Sequence, residues 1–374
     1  MARLLHTADW QIGRQYGRFG QEDAFALAEA RFSTVERIAT LATAEGFDAV
    51  LVAGDVFDAQ TVSDRTIRRL FNALEGFAGP WIMIPGNHDA ALAESVWTRA
   101  QRLEAIPDRV HITTVAGVLE FPELGFSVLA APLTQRQTQN DLTDWFDNAE
   151  TTPGLIRIGL AHGSVQGILA EDIDSPNPIA LNRATRARLD YLALGDWHGT
   201  KQIDTHTWYS GTPEQERFKD NGAGQVLAVE ILGPGEEPRV TSQTMGQFVW
   251  LKLQAQLNVI SDVDEFIQRL EAVSPPAVLD ISVSGEVDLS GYQRLQKAIS
   301  VAEARHRSVQ CDVAELRLQP TDADIAALHV DGYLGEVISE LRELQQGAEG
   351  EAAREALAIL TGLLSSRQEL GGRT

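Results

Sequence analysis

The chain has 374 residues, 53 acidic against 31 basic side chains, and a formal net charge of −22. At that length two or three domains are expected, and no run of about 18 apolar residues is present to span a bilayer. The charge argues against tight, unaided binding to a polyanion, because phosphate binding relies on Lys and Arg displacing counterions. Cys311 is the only cysteine, which excludes an internal disulfide and a thiolate metal site. With MARLLHTADW running straight into a strand and no signal-peptide pattern, a cytoplasmic protein is expected.

In chain order, residues 3–8 read as a buried strand, followed by the loop GRQYGRFG. The spacing of Phe25, Ala28, Phe32, Val35, Ile38 and Leu41 predicts a helix over about 24–45. Strand 48–53, helix 61–77 and strand 80–85 repeat a β-α-β pattern and imply a parallel sheet. A helix over 91–105 precedes strands at 109–113, 117–121, 126–131, 156–161 and 190–194. Strands near 207–210, 225–231 and 238–244 suggest a second sheet, so the expected fold is a layered α/β sandwich. After Gln247 a separate β-α-β-α-β unit is expected over 247–320, its last strand being SVQCDVAELRL. From 321 to 374 only helical stripes remain, Leu334, Val337, Ile338, Leu341 and Leu344, then Leu357, Leu360 and Leu364.

Five polar blocks each follow an apolar, strand-like run: Asp9-Trp10-Gln11, Gly54-Asp55-Val56-Phe57-Asp58, Gly86-Asn87-His88-Asp89, His162-Gly163 and Gly195-Asp196-Trp197-His198. The carboxyl ends of parallel strands converge on one sheet edge, where ligands bind. Five such ends bring Asp, Asn and His side chains into one cleft, which is the donor set of a metal site. Their order resembles the calcineurin-like metallophosphoesterases. LLHTADWQIG, VAGDVFD, PGNHD and Tyr209-Ser210-Gly211-Thr212-Pro213 look specifically like the SbcD family of DNA repair exonucleases. The resemblance covers residues 1 to about 230 by motif and the remainder by layout.

The resemblance implies a nuclease domain over 1–246 with two central sheets flanked by helices, a capping domain over 247–320 and a helical segment over 321–374. It implies two divalent ions, manganese before magnesium. One would be held by Asp9, Gln11, Asp55 and His198, the other by Asp55, Asn87, His162 and Asp196. His88 would sit beside the scissile phosphate as the proton donor, with Asp58 and Asp89 orienting the ligands. DNA is the implied substrate, and a coiled-coil ATPase of the SbcC type is the implied partner. The C-terminal stripes would then dock that ATPase, or alternatively pack as a hairpin on their own protein. A homodimer through helices near 62–77 and 91–105 is also implied.

Two positions depart from the family: Gln11 and Asp196 stand where it has His. These exchanges replace nitrogen by oxygen donors, which favours manganese or magnesium over zinc. They also motivate one rival reading, a non-catalytic scaffold for the ATPase; the other rival is a phosphodiesterase for small molecules. Trp10 and Trp197 either wall the cleft or stack on an unpaired base. The Arg14/Arg18, Arg65/Arg68/Arg69 and Arg183/Arg186/Arg188 clusters are either solvated faces or part of a basic path. His6 reads as buried or orienting rather than a ligand. His111, His206, His306 and His329 read as structural or surface residues.

Overall fold

The computed structural model describes residues 1–168, 176–321, 324, 333–344 and 350–371. The chain divides into two compact units, Met1–Phe248 and Val249–Thr374. His329 lies outside the described residues.

The first unit runs β1 (Ala2–Thr7), α1 (Gln21–Ala44), β2 (Ala49–Val52), α2 (Asp64–Ala73), β3 (Trp81–Met83), α3 (Val96–Arg102), β4 (Val110–Ile112), β5 (Gly117–Phe121), β6 (Phe126–Ala131), β7 (Ile156–His162), β8 (Ser164–Val165), β9 (Pro178–Ile179), α4 (Arg183–Arg186), β10 (Tyr191–Gly195), β11 (Lys201–Gln202), β12 (Thr207–Tyr209), β13 (Gln225–Ile231) and β14 (Arg239–Thr244). Strands β1 to β4 are parallel neighbours in one six-stranded sheet. The second six-stranded sheet has the order β11-β12-β10-β7-β6-β5, parallel from β6 through β7 and β10 to β12.

Alternation along the strands explains the layers, since successive side chains point to opposite faces. Leu4, Leu51 and Ile82 meet Val128, Ile158 and Ala193 of the second sheet in one core. Their neighbours Leu5, Val50, Val52 and Trp81 face the other way and pack on Phe32, Val35 and Ile38 of α1 and Ile67 and Phe71 of α2. On the outer face of the second sheet, Leu129, Ala161 and Leu192 pack on Phe146 and Ala184. The result is a helix–sheet–sheet–helix sandwich. Trp81 is fully buried between strand and helices, and Trp81→Ala would cost about 3–5 kcal/mol through the cavity left behind.

Three local expectations change. β13 and β14 belong to the first sheet: β13 pairs antiparallel with the free edge of β1, and the polar β14 becomes the sheet's edge. Hydrophobic alternation shows which face a strand buries but not which strand lies beside it. Helix α3 starts only at Val96, because Ser95 and Thr98 form a reciprocal capping box there, and it ends before Glu104, whose φ is 49°. Phe25 falls on the predicted apolar stripe of α1 yet is exposed.

The second unit runs β15 (Val249–Leu257), α5 (Ile260–Glu271), β16 (Ala277–Val287), α6 (Leu289–Arg305), β17 (Ser308–Asp312), β18 (Leu316–Leu318), α7 (Tyr333–Leu344) and α8 (Gly350–Gly371). All four strands are parallel, with β15 on one side of β16 and β17 and β18 on the other. Val263, Phe266, Leu295 and Ile299 of the two crossover helices close over Leu279, Ile281 and Val283. The single predicted third strand is two, because Asp312 Oδ1 accepts the Ala314 N–H at 2.9 Å and turns the chain before Leu316. In the C-terminal pair Ile338 and Leu357 are buried, while Leu334, Leu344, Ile359 and Leu363 are exposed.

Candidate metal centre

The loops after β1, β2, β3, β7 and β10 all leave the carboxyl ends of parallel strands, and they carry the five polar blocks. The two sheets come together there so closely that a Cβ on Gly195 would lie 2.0 Å from the Ala53 carbonyl oxygen. One on Gly86 would lie 2.3 Å from Asp55 Oδ1. The first two loops are zipped together by Asp9 N–H to Gly54 O at 3.0 Å, Gln11 N–H to Asp55 O at 3.0 Å and Ile12 N–H to Val56 O at 2.9 Å. Asp9 (φ 53°), Gln11 (φ 50°), Asp55 (φ 52°) and Asp196 (φ 101°) all have left-handed backbone. Such strain concentrates where the surrounding fold holds a side chain to a task, at about 1–3 kcal/mol per residue.

Asp9, Asp55 and His162 are buried, and each offers a ligand atom within 4.8 Å of the others. His162 Nδ1 lies 2.8 Å from the Ala53 carbonyl and carries the proton there, so Nε2 turns its lone pair inward. That atom is 3.6 Å from Asp55 Oδ1, 3.7 Å from Asp196 Oδ1 and 2.9 Å from Asn87 Oδ1. Asn87 Oδ1 thus faces only acceptors. Three things satisfy that arrangement: a cation among the acceptors, a proton on His162 Nε2, or a reversed amide donating to Asp55 Oδ2 at 3.1 Å, Oδ1 at 3.2 Å and His162 Nε2 at 2.9 Å. The donor set therefore fits a hard divalent ion.

The titration of the cluster has the same origin. Burial pushes the Asp9 carboxyl up to about 6 against the pull of His198 and His162. Burial alone would lower His162, but Asp55, Asp9 and Asp196 outweigh it and raise the imidazole to about 9. Burial, then Asp55, pushes Asp89 up to about 7. Burial also raises Asp196. The cleft holds more acceptor charge than the protein neutralises, which is what a bound cation offsets.

The other predicted residues surround this centre. His198 Nδ1 lies 2.6 Å from Glu216 Oε1, which leaves its Nε2 for a ligand. The Asp196 N–H points at both Asp9 oxygens, 3.2 and 3.3 Å away. His88 donates its backbone N–H to Asp55 Oδ1 at 2.9 Å, and its Nδ1 lies 2.8 Å from the Asp58 carbonyl. Its half-exposed ring lines an open cavity of about 410 Å³ with Asp58, Asn87 and Arg136. Asp89 accepts from Phe57 N at 3.1 Å and Gly86 N at 2.7 Å, bracing two of the loops. Gln11 is present but turned, its Nε2 donating to Asp55 Oδ2 at 2.8 Å.

Of the remaining residues, Trp10 is buried and donates to Thr7 Oγ1 at 2.9 Å, so it packs. His6 is fully buried between Tyr191 OH (2.9 Å) and the Leu194 carbonyl (3.2 Å). His111 and His206 are half-buried and His306 is buried, none of them within the cluster.

Sequence reading missed Glu216 and its partners Arg31 and Arg217. Its carboxylate takes Arg31 at 2.9 Å, Arg14 at 3.1 Å, Arg217 at 2.6 Å and His198 at 2.6 Å. Burial would raise Glu216, but the His198 hydrogen bond and the Arg31 charge hold it well below the usual carboxylate range. The available signal was Arg31, a charge among the apolar residues of α1 that has to find a partner once buried.

A family model of calcineurin-like phosphoesterases matches residues 2–228. Among curated relatives, the SbcD component of the SbcCD nuclease of Bacillus subtilis (strain 168) is 24% identical over 336 residues, covering 79% of this chain and 83% of that protein. The SbcD component of the Rhodobacter capsulatus SbcCD nuclease is 41% identical over 108 residues, covering 28% of this chain and 23% of that protein. The DNA double-strand break repair protein Mre11 of Methanosarcina acetivorans is 24% identical over 313 residues, covering 76% of this chain and 46% of that protein. The chain belongs to the calcineurin-like phosphoesterase family and is of the SbcD type within it.

Proposed function

We propose that the protein is a metal-dependent nuclease that hydrolyses phosphodiester bonds at DNA ends, as a hydrolase acting in DNA repair. The observation that supports this reading is the convergence of Asp9, Asp55, Asn87, His162 and Asp196 beside the half-exposed His88. One ion would be held by Asp9, Asp55 and His198, joined by Gln11 only if its amide gives up Arg14. The other would be held by Asp55, Asn87, His162 and Asp196. Four oxygen against two nitrogen donors favour manganese, with magnesium second. Bound divalent ions supply Lewis acidity and a lowered pKa for an attacking water.

The chain's own residues do the rest. Asp55 accepts His88 N–H and Gln11 Nε2, which fixes its carboxylate between the two ligand groups. The Asp58 carbonyl accepts from His88 Nδ1–H and orients the ring, so that a second proton, on Nε2 of the imidazolium, would be the one passed to the leaving oxygen. Glu216 keeps the His198 ring oriented. Residues 247–320 would serve as the capping domain and 321–374 as the docking element for an SbcC-like ATPase. A homodimer in the cytoplasm completes the reading.

The test offers the purified protein linear duplex DNA and bis(4-nitrophenyl) phosphate, each with Mn²⁺. Degradation of the DNA is expected. Turnover of the small diester with intact DNA would place the protein among phosphodiesterases for small molecules instead.

A further inference from the structure

Trp197 stands between two ligand residues, and two ammonium groups rest on its ring: Lys201 Nζ is 5.0 Å and Lys219 Nζ 4.5 Å from the ring centroid. The chain has only four lysines, Lys201, Lys219, Lys252 and Lys297, so half of them share one indole. Lys201 also lines a small recess at the rim of the metal centre with Asp196, Trp197 and Tyr209.

Many of the arginines visible in sequence are engaged elsewhere. Arg14 and Arg31 are tied to Glu216, Arg69 to Glu29, and Arg183 to Asp141, Asp144 and Asp147. Lys252 pairs with Asp280 at 3.6 Å, whereas among the described residues neither Lys201 nor Lys219 has an ion pair. An ammonium held on an aromatic face keeps its three N–H donors for a ligand. Holding the side chain there also lowers the entropy lost when the ligand binds. A chain with a net charge of −22 repels a polyanion as a whole, so a nucleic-acid strand needs local cations at the point of cleavage.

We propose that Lys201 and Lys219, carried on Trp197, bind the phosphodiester backbone of a nucleic-acid strand beside the reacting phosphate. This inference rests on the nuclease reading above. It makes Trp197 a platform for cations rather than for a base, and the two lysines determinants of polymeric over small-molecule substrates.

The test compares wild type with Lys201→Ala/Lys219→Ala in kcat/KM for a single-stranded oligodeoxynucleotide and for bis(4-nitrophenyl) phosphate. Both are measured with Mn²⁺ across about 50–200 mM salt, the range in which counterion release is read. The double variant is expected to lose about ten-fold or more on the oligonucleotide at the lowest salt, with a log–log salt slope shallower by about 1.4 for two lost phosphate contacts. The small diester should be unaffected, and Lys201→Arg/Lys219→Arg should restore the oligonucleotide rate. An unchanged oligonucleotide rate, or an equal fall on both substrates, would overturn the proposal. Wild type that turns over the diester but not DNA would remove the nuclease reading itself, and this inference with it.

Discussion

Gln11 Nε2 donates to Asp55 Oδ2 at 2.8 Å, while Gln11 Oε1 faces Arg14 at 3.4 Å. The amide is held by an acceptor at one end and a guanidinium at the other, and reversing it would set two donors against each other. Gln11 therefore presents an N–H, not an oxygen, to the metal centre. Gln11→His removes that donor and offers a lone pair. It is expected to tighten the weaker of two Mn²⁺ sites by about ten-fold or more, in line with the usual weight of such ligand and orienting groups. Titration followed by the electron paramagnetic resonance of free Mn²⁺ reads this directly. Identical isotherms for the two proteins would contradict it.

The His88 ring stands off the buried Asp55 carboxylate, its Nε2 lying 3.9 Å from Asp55 Oδ2. His88→Gln should leave Mn²⁺ binding intact and lower kcat on DNA by about 10²–10⁴, the range of general-acid contributions. A 4-nitrophenolate leaving group needs no proton, so the loss on bis(4-nitrophenyl) phosphate should be much smaller. Equal losses on the two substrates would take the proton-donor role away from His88.

Glu216 gathers Arg14, Arg31, Arg217 and His198 around one buried carboxylate. Truncating one partner of a buried pair leaves the other uncompensated, typically at about 3–5 kcal/mol. Glu216→Ala, which strands Arg31, is expected to fall in that range by urea denaturation and to loosen His198. A loss below about 1 kcal/mol would mean the cluster behaves like a surface pair.

His6 supplies a pH dependence. Burial lowers its pKa from 6.5 to about 3, against the Leu194 carbonyl that raises it. The unfolded chain then binds the proton that the folded one refuses, so this contribution is complete above about pH 6.5 and is lost as pH falls towards 3. Within that window the slope is about 1.4 kcal/mol per pH unit for this one group. His6→Asn removes the titration, so the wild-type advantage in urea midpoint should shrink between pH 7 and pH 4.5. A constant difference between the two proteins would sink the assignment.

The strands that build the centre were legible because each is an apolar run ending in a polar block, as with IRIGLA before His162 and DYLALG before Asp196. The partner of β1 was not, since the alternation in β13 is the same whichever edge it joins. Short β8, β9 and β11 lack the length to show a period. Glu216 and Arg31 are 185 positions apart, and no local pattern links them until α1 packs. The orientation of Gln11 was equally hidden, because it depends on where Arg14 falls after a left-handed turn that only the folded loop displays.

The central claim is that Asp55 holds the metal centre of a nuclease. The most direct measurement is Mn²⁺-dependent release of label from end-labelled linear duplex DNA by wild type and by Asp55→Asn. Asparagine keeps the size of the side chain but removes the charge and one of the two ligand oxygens. Release by wild type and none by Asp55→Asn is the expected result. Release that survives the substitution, or none from wild type, would contradict the account.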